Sequence, residues 1–332
     1  MNINVKPYMA CLCIGLAVSW GCSPDGGTND GPSVPAIQYD TVSVLSDRGF
    51  ERGLIRKRAA EPSPGNIYPF GEKAAAPIWE IAEWGTKHEL TEADRNVESA
   101  GSAGSVTYSN PGKSISFVKD GDRVGIDMQV FTSAEYDAPR QSNQAWPHLL
   151  IEQEFPEKPF LKDLEGLVLQ FEGRLTGAEM KMDERDFDPG LHTAQFQLFI
   201  TVQDLNPNSA YYGDYLWFGI PFYDYRHRHI QVYAAQDIGK GDATGKFIYS
   251  VATTDYMEGS FHDGEWVIVE KDIYPLIARA LKLARERGYL TGSFDEDFRL
   301  SGMNLGWEVP GTFDAGFEFR AFDLLAVTPR SE

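Results

Sequence analysis

The chain has 332 residues, 42% of them hydrophobic, enough to bury a large core without disulfide or metal staples. A formal net charge of −19 makes nucleic acid and anionic membrane surfaces poor partners and favours neutral or locally recognised ligands. The three cysteines, Cys11, Cys13 and Cys22, all lie at the N-terminus, so the rest of the chain has no thiol for disulfides, zinc thiolates or nucleophilic catalysis.

The chain opens on residues 2–6, which carry one positive charge, followed by an apolar run over 9–18 and the pair Gly21-Cys22. This segment resembles a bacterial lipoprotein signal, with cleavage after residue 21 and lipidation of the Cys22 thiol. An ordinary secretory signal and an uncleaved anchor are the alternatives, although the run falls short of the roughly 20 apolar residues that span a bilayer. The expected location is therefore outside the cytoplasm. The protein would be held at the envelope or cell surface by an N-terminal lipid, its one membrane contact, or be periplasmic or secreted without that lipid. Residues 22–36, rich in Ser, Pro, Gly and Asp, read as a flexible tether. Residues 37–76, with the basic patch Arg52, Arg56, Lys57 and Arg58 and several prolines, read either as an arm that wraps the domain or as plain linker.

Over 77–330, short runs rich in Val, Ile, Phe and Tyr alternate with Gly, Asn, Asp and Pro clusters. Strands are expected at 78–84, 106–109, 114–118, 124–131, 148–155, 166–175, 193–203, 215–222, 229–234, 247–251, 266–271, 298–307 and 316–327. One amphipathic helix is expected near 273–287, with Gly288 as its C-cap. A dozen strands, one helix and no βαβ alternation predict an all-β fold, an antiparallel two-sheet jelly-roll sandwich.

The segment TAQFQLFITVQD divides most clearly into two faces. Ala194, Phe196, Leu198, Ile200 and Val202 form an apolar side, opposed by Gln195, Gln197, Phe199, Thr201 and Gln203. The second side is polar yet uncharged, as suits the gripping of hydroxyl-rich ligands. Similar division places Tyr215 and Trp217, His229, Gln231 and Tyr233, Asp127 and Gln129, Gln170, Glu172 and Arg174, and Glu318 with Arg320 opposite apolar partners. Sharing one sheet, they would form a glycan groove. Facing a second sheet or the arm, they would be core.

This division of strands behind an export signal resembles the concanavalin A-like and alginate-lyase-like jelly rolls of secreted bacterial carbohydrate-active proteins. The resemblance is architectural. It implies a two-sheet sandwich and a saccharide ligand. Retaining glucanases of that fold carry Glu-x-Asp-x-x-Glu, which is absent; the nearest segment, 151–155, puts Glu152, Glu154 and His148 on one face with different spacing. Alginate-lyase-like enzymes carry a Gln-x-His strand, and Gln195-Phe196-Gln197 has a comparable context without the histidine. No catalytic residue is therefore assigned from either family.

Three functions remain open. The leading one is carbohydrate binding, of a polysaccharide or oligosaccharide, through Gln195, Gln197, Tyr215, Trp217, His229, Gln231 and Tyr233. The second is a polysaccharide lyase or glycoside hydrolase on the same face. A lyase would neutralise a uronate with Arg174 or Arg320 and move protons with His229, Tyr233 or His148, whereas a hydrolase would draw on Glu152, Glu172, Asp127 and Glu318. The third is a structural envelope or assembly lipoprotein with both faces buried. In the loop 136–148, Tyr136, Arg140, Trp146 and His148 occupy a place where binding residues often sit. No cofactor motif is present. Asp183, Asp186 and Asp188 before a Pro-Gly turn are either a structural calcium loop or an acidic surface loop.

Overall fold

Apolar residues at every second position need a partner layer, and in this chain two sheets supply it for each other. The computed structural model describes residues 38–57, 63–100, 103–121, 123–238 and 243–330. The export segment, the tether, Cys22 and Arg58 lie outside the described residues.

In chain order the strands are β1 (Tyr39–Ser43), β2 (Leu54–Lys57), β3 (Asn66–Ile67), β4 (Trp79–Ala82), β5 (Arg95–Ala100), β6 (Ala103–Asn110), β7 (Lys113–Asp120) and β8 (Arg123–Phe131). After these come β9 (His148–Glu154), β10 (Gly166–Met180), β11 (Gln195–Asp204), β12 (Tyr215–Asp224), β13 (Tyr233–Gln236), β14 (Phe247–Ser250) and β15 (Val267–Asp272). The helix α1 (Tyr274–Glu286) precedes β16 (Phe298–Glu308) and β17 (Phe313–Pro329). An eight-stranded sheet runs β15-β10-β17-β8-β7-β6-β5, with β1 added against β17. A nine-stranded sheet runs β13-β14-β12-β11-β16-β9-β4-β2-β3. All pairings are antiparallel except β2 with β4 and β12 with β14. The predicted jelly-roll sandwich, with one α-helix among the described residues, is the architecture found.

The core lies between the sheets. Phe196, Leu198, Ile200 and Val202 of β11 are fully buried, as are Leu167 and Leu169 of β10. Aromatic rings lock the layers together: Phe171 of β10 stacks on Phe222 of β12, and Phe196 of β11 on Phe317 of β17, both at 4.1 Å between centroids. A Cβ at Gly173 would meet the rings of Phe171 and Phe317 at 2.7 Å, so a glycine is needed there. In α1, Ile277, Ala280, Leu281 and Ala284 face inward. The helix ends in a Schellman motif, with Gly288 N–H donating to the Arg285 carbonyl and Tyr289 N–H to that of Ala284.

Three regions differ from expectation, one of them β5 (Arg95–Ala100), a strand that was not expected. The N-terminal arm is neither wrap nor linker: β1 joins one sheet, and β2 and β3 extend the other. Its apolar runs are only two to five residues long, too short to stand out, yet Leu54 and Ile67 are fully buried. The strand expected at 229–234 begins only at Tyr233. The Ile230 carbonyl instead accepts from Thr253 N–H outside the ladder.

Candidate functional site

The outward face of the nine-stranded sheet is organised by its central strand. Along β16, Met303, Leu305 and Trp307 are buried in the core while Gly302, Asn304, Gly306 and Glu308 alternate to the other side. A Cβ at Gly306 would fall 2.1 Å from the Leu149 carbonyl oxygen, and one at Gly302 2.9 Å from that of Gln153. The β9 backbone thus approaches so closely that only glycine fits. Two missing side chains leave a bare strip, the trough, in the middle of the sheet, at glycines that are themselves buried.

Register carries the face across the sheet. Tyr233 pairs with Ser250, Ser250 with Gly219, Gly219 with Phe199, Phe199 with Asn304, Asn304 with Glu152 and Glu152 with Glu80. Six strand spacings make this row about 29 Å wide. Gly219 lets the Phe199 ring lie over β12, since a Cβ there would meet that ring at 2.7 Å and Ser250 Oγ at 2.3 Å. Trp217 meets Phe199 and Tyr215 edge-on at 6.2 and 5.2 Å, and its indole N–H donates to Thr244 Oγ1 at 3.3 Å. On the opposite side of the trough, Trp84 and Trp146 flank His148 at 5.6 and 5.9 Å. The Arg140 guanidinium lies 4.8 Å from the Trp146 ring, held by the Gln144 and Leu191 carbonyls. Rings therefore stand on both sides of a floor of small and amide residues.

Three clusters of charged residues occupy the face. His148 Nε2 lies 3.4 Å from Glu308 Oε2, and Gln197 donates to Glu308 Oε1 at 3.1 Å. The buried Asp224 accepts from Thr193, Gln195 and Arg226. Burial alone would push its carboxyl up, but the bonds from Arg226 outweigh that and leave it below the usual aspartate range. Lys57 Nζ lies 2.8 Å from both Glu80 and Glu152. Burial still drives the Glu152 carboxyl upward, partly offset by the Lys57 charge. Lys57 itself is held protonated: burial opposes its charge, but the two carboxylates outweigh burial and raise it.

Of the residues singled out from sequence, Gln195, Gln197, Tyr215, Trp217 and Tyr233 share this face. His229 and Gln231 do not lie on a strand: both are exposed in the segment before β13, and the Gln231 amide turns toward the His229 carbonyl at 3.4 Å. Arg174 and Glu172, together with Asp127, Glu318 and Arg320, lie on the outward face of the eight-stranded sheet. There Arg174 pairs with Glu318 at 2.7 Å, and Arg320 with Glu172. The whole core separates them from Gln197, because β10, β17 and β8 are successive strands of one sheet while β11 belongs to the other. Alternation shows which residues share a side of one strand, not which sheet the strand joins. Asp183, Asp186 and Asp188 do not converge. Asp183 accepts from Arg185 N–H, Asp188 accepts from Gly190 N–H and Asp186 is exposed. No group of three His, Cys, Asp or Glu side chains suited to a metal occurs among the described residues.

Sequence reasoning missed Gly302, Asn304, Gly306 and Glu308, although the segment GMNLGWE alternates small or polar residues with Met303, Leu305 and Trp307. It also missed Lys57, brought to the face by the parallel pairing of β2 with β4, and Glu80, brought there by the pairing of β4 with β9.

No family model matches the chain, and no curated protein matches it. Among solved structures it is similar to a thermostable cellulase derived from Cel12A of Rhodothermus marinus, at 15% identity and a TM-score of 0.40, covering 75% of this chain and 100% of that one. It is also similar to endoglucanase 3 of family GH12 from Trichoderma harzianum, at 11% identity and 0.37, covering 74% and 98%. A third is the family 11 xylanase of Neocallimastix patriciarum, at 8% identity and 0.34, covering 75% and 100%. At these values the functional reading rests on the geometry of the face alone.

Proposed function

We propose that the outward face of the nine-stranded sheet binds a neutral polysaccharide chain, in a protein exported and tethered to the envelope through Cys22. The observation that carries this reading is the strip without side chains at Gly302 and Gly306, with Trp84 and Trp146 on one side and Phe199, Trp217 and Tyr215 on the other. Aromatic rings suit the apolar faces of sugar rings, and amides such as Gln197 and Asn304 present donor and acceptor together to hydroxyl pairs. Lys57, the cation beside Glu152, is already claimed by two carboxylates and is not open to a uronate.

A second reading, glycoside hydrolysis, is favoured by the two carboxyl groups Glu152 and Glu308 on neighbouring strands of the face. Glu308 has His148 beside it to handle a proton, and Glu152 is the opposing carboxyl. They are four positions apart along the ladder, about 13 Å between main chains, beyond the about 6.5–9.5 Å between the carboxyls of inverting enzymes, so the two side chains would have to lean toward each other.

Calorimetry with soluble β-linked glucan and xylan oligosaccharides tests the binding reading. The wild type should bind one of them, and the double variant Trp217→Ala/Gln197→Ala should lose it while melting at a similar temperature. A folded double variant with unchanged affinity would overturn the assignment. New reducing ends released by the wild type and not by Glu308→Gln would add hydrolysis to binding.

A further inference from the structure

The outward face of the eight-stranded sheet carries a second ordered array. Arg174 of β10 pairs in register with Glu318 of β17, Glu318 with Asp127 of β8, Asp127 with Ser116 of β7, Ser116 with Thr107 of β6, and Thr107 with Asn96 of β5. Side chains at paired positions project to the same side, so one polar row crosses six strands, about 24 Å. The row is held in place. Arg174 donates twice to Glu318, at 2.9 and 2.7 Å, Gln129 donates to Asp127 at 2.7 Å, and the Thr107 and Ser116 hydroxyls lie 2.8 Å apart. Trp266 lies beside Arg174 and Arg320, whose guanidinium carbons are 4.9 and 4.2 Å from its ring centroid.

Two properties narrow what such a surface would take. Apart from Asp127, its charges cancel in pairs, Arg174 with Glu318 and Arg320 with Glu172, in a chain whose net charge is −19. Burial pushes the Asp127 carboxyl upward, toward its neutral form, helped by the nearby Glu318 charge and opposed by Gln129 and Arg174. Its Oδ1 has no hydrogen-bond partner within the protein. A balanced field attracts neither anion nor cation, whereas hydroxyl, amide and guanidinium groups set at a fixed strand spacing match a repeating uncharged polyol. The row also differs from the trough of the other sheet. No glycine occurs in it, so it offers a flat strip and not a furrow.

We infer that this row, from Arg174 to Asn96, is a second binding surface for neutral polysaccharide, one that lies against a flat, packed chain while the opposite sheet takes a single strand. The site is independent of the trough, since the core separates them, and it stands or falls apart from the function proposed there. A protein with both surfaces would hold to insoluble polymer on one side and leave the other open.

Depletion from suspensions of microcrystalline cellulose and of insoluble xylan tests the inference on the full mature chain. The double variant Thr107→Lys/Ser116→Lys puts bulky charge on the strip, and Asn96→Lys does so at its exposed end. Binding to the insoluble polymer should weaken about tenfold or more in the double variant. Its melting temperature and its affinity for soluble oligosaccharides should stay at wild-type values. Undiminished depletion by both variants, or a wild type that binds neither solid, would overturn the proposal. So would sedimentation showing that the strip joins two copies of the chain. Loss of depletion in a protein that never binds soluble oligosaccharides would support the strip while removing the trough reading.

Discussion

His148 and Glu308 face each other across β9 and β16, Nε2 to Oε2 at 3.4 Å, while His148 Nδ1 lies 3.0 Å from the Trp146 carbonyl. A carbonyl only accepts, so the Trp146 carbonyl suits a protonated Nδ1 and leaves Nε2 facing the Glu308 carboxyl. Glu308→Gln keeps a polar contact to Nε2 and removes the carboxyl. In a hydrolase this should lower turnover by about 10²–10⁴-fold with little change in oligosaccharide affinity. Assays of reducing ends alongside calorimetry check it, and turnover unchanged in the variant would remove Glu308 from the chemistry.

Gly219→Ala tests the aromatic side of the trough by adding one methyl and removing no side chain. The new methyl would press on the Phe199 ring at 2.7 Å and on Ser250 Oγ at 2.3 Å. Overpacking of this kind costs about 1–3 kcal/mol, and part of the strain should be relieved by tilting Phe199 away from β12. Affinity for soluble oligosaccharide should fall about tenfold while the fold persists. Retention of full affinity would show that the Phe199 ring contributes no contact.

How much of this was legible in the sequence follows from what each signal measures. Period-two alternation identified β11 and the inward side of Phe196, Leu198 and Ile200, because burial on one face acts residue by residue within a strand. It also showed that Gln197 and Trp217 turn away from the apolar side of their own strands. Alternation carries no information about pairing partners, so Arg174 and Gln197 looked equivalent although they lie on opposite sheets. Glu308 was overlooked because its strand is marked by absent side chains, at Gly302 and Gly306, and a glycine in a strand reads first as weakness and only afterwards as space. Lys57 lay in a segment too short and too rich in proline to read as a strand.

Lys57 links the arm to the trough, and its removal should leave a pH signature. Glu152 is already raised by burial, and without the Lys57 charge it should rise further, with Glu80 adding repulsion. A carboxyl whose folded value lies above its unfolded value is least costly in acid, and the stability it permits is lost as pH rises through the folded value. Lys57→Met should therefore lie close to wild type near pH 4 and fall behind it by about 3 kcal/mol as Glu152 ionises toward pH 8. Urea midpoints across that range measure this. A constant gap between variant and wild type would mean that Lys57 acts through packing and not through charge.

Beneath Trp84 lies a second ion pair, and here the whole pair is buried: Lys113 has no exposure, Glu83 has 6%, and they lie 3.3 Å apart. Burial raises the Glu83 carboxyl and lowers the Lys113 ammonium, so each is held in place chiefly by the other. Glu83 also accepts from Leu90 N–H at 3.0 Å, which a glutamine can continue to serve. Removing one member strands a charge in the core, so Lys113→Met alone should cost about 3–5 kcal/mol. The double variant Lys113→Met/Glu83→Gln removes both charges and keeps the Leu90 bond, and its stability should return to within about 1 kcal/mol of wild type. Glu83 directly precedes Trp84, so the cycle also reports on the trough: affinity for oligosaccharide should fall with the single variant and recover with the double. Additive costs in the cycle would show that the two charges are stabilised separately, by neighbours such as Glu135 and Arg56, and not by each other.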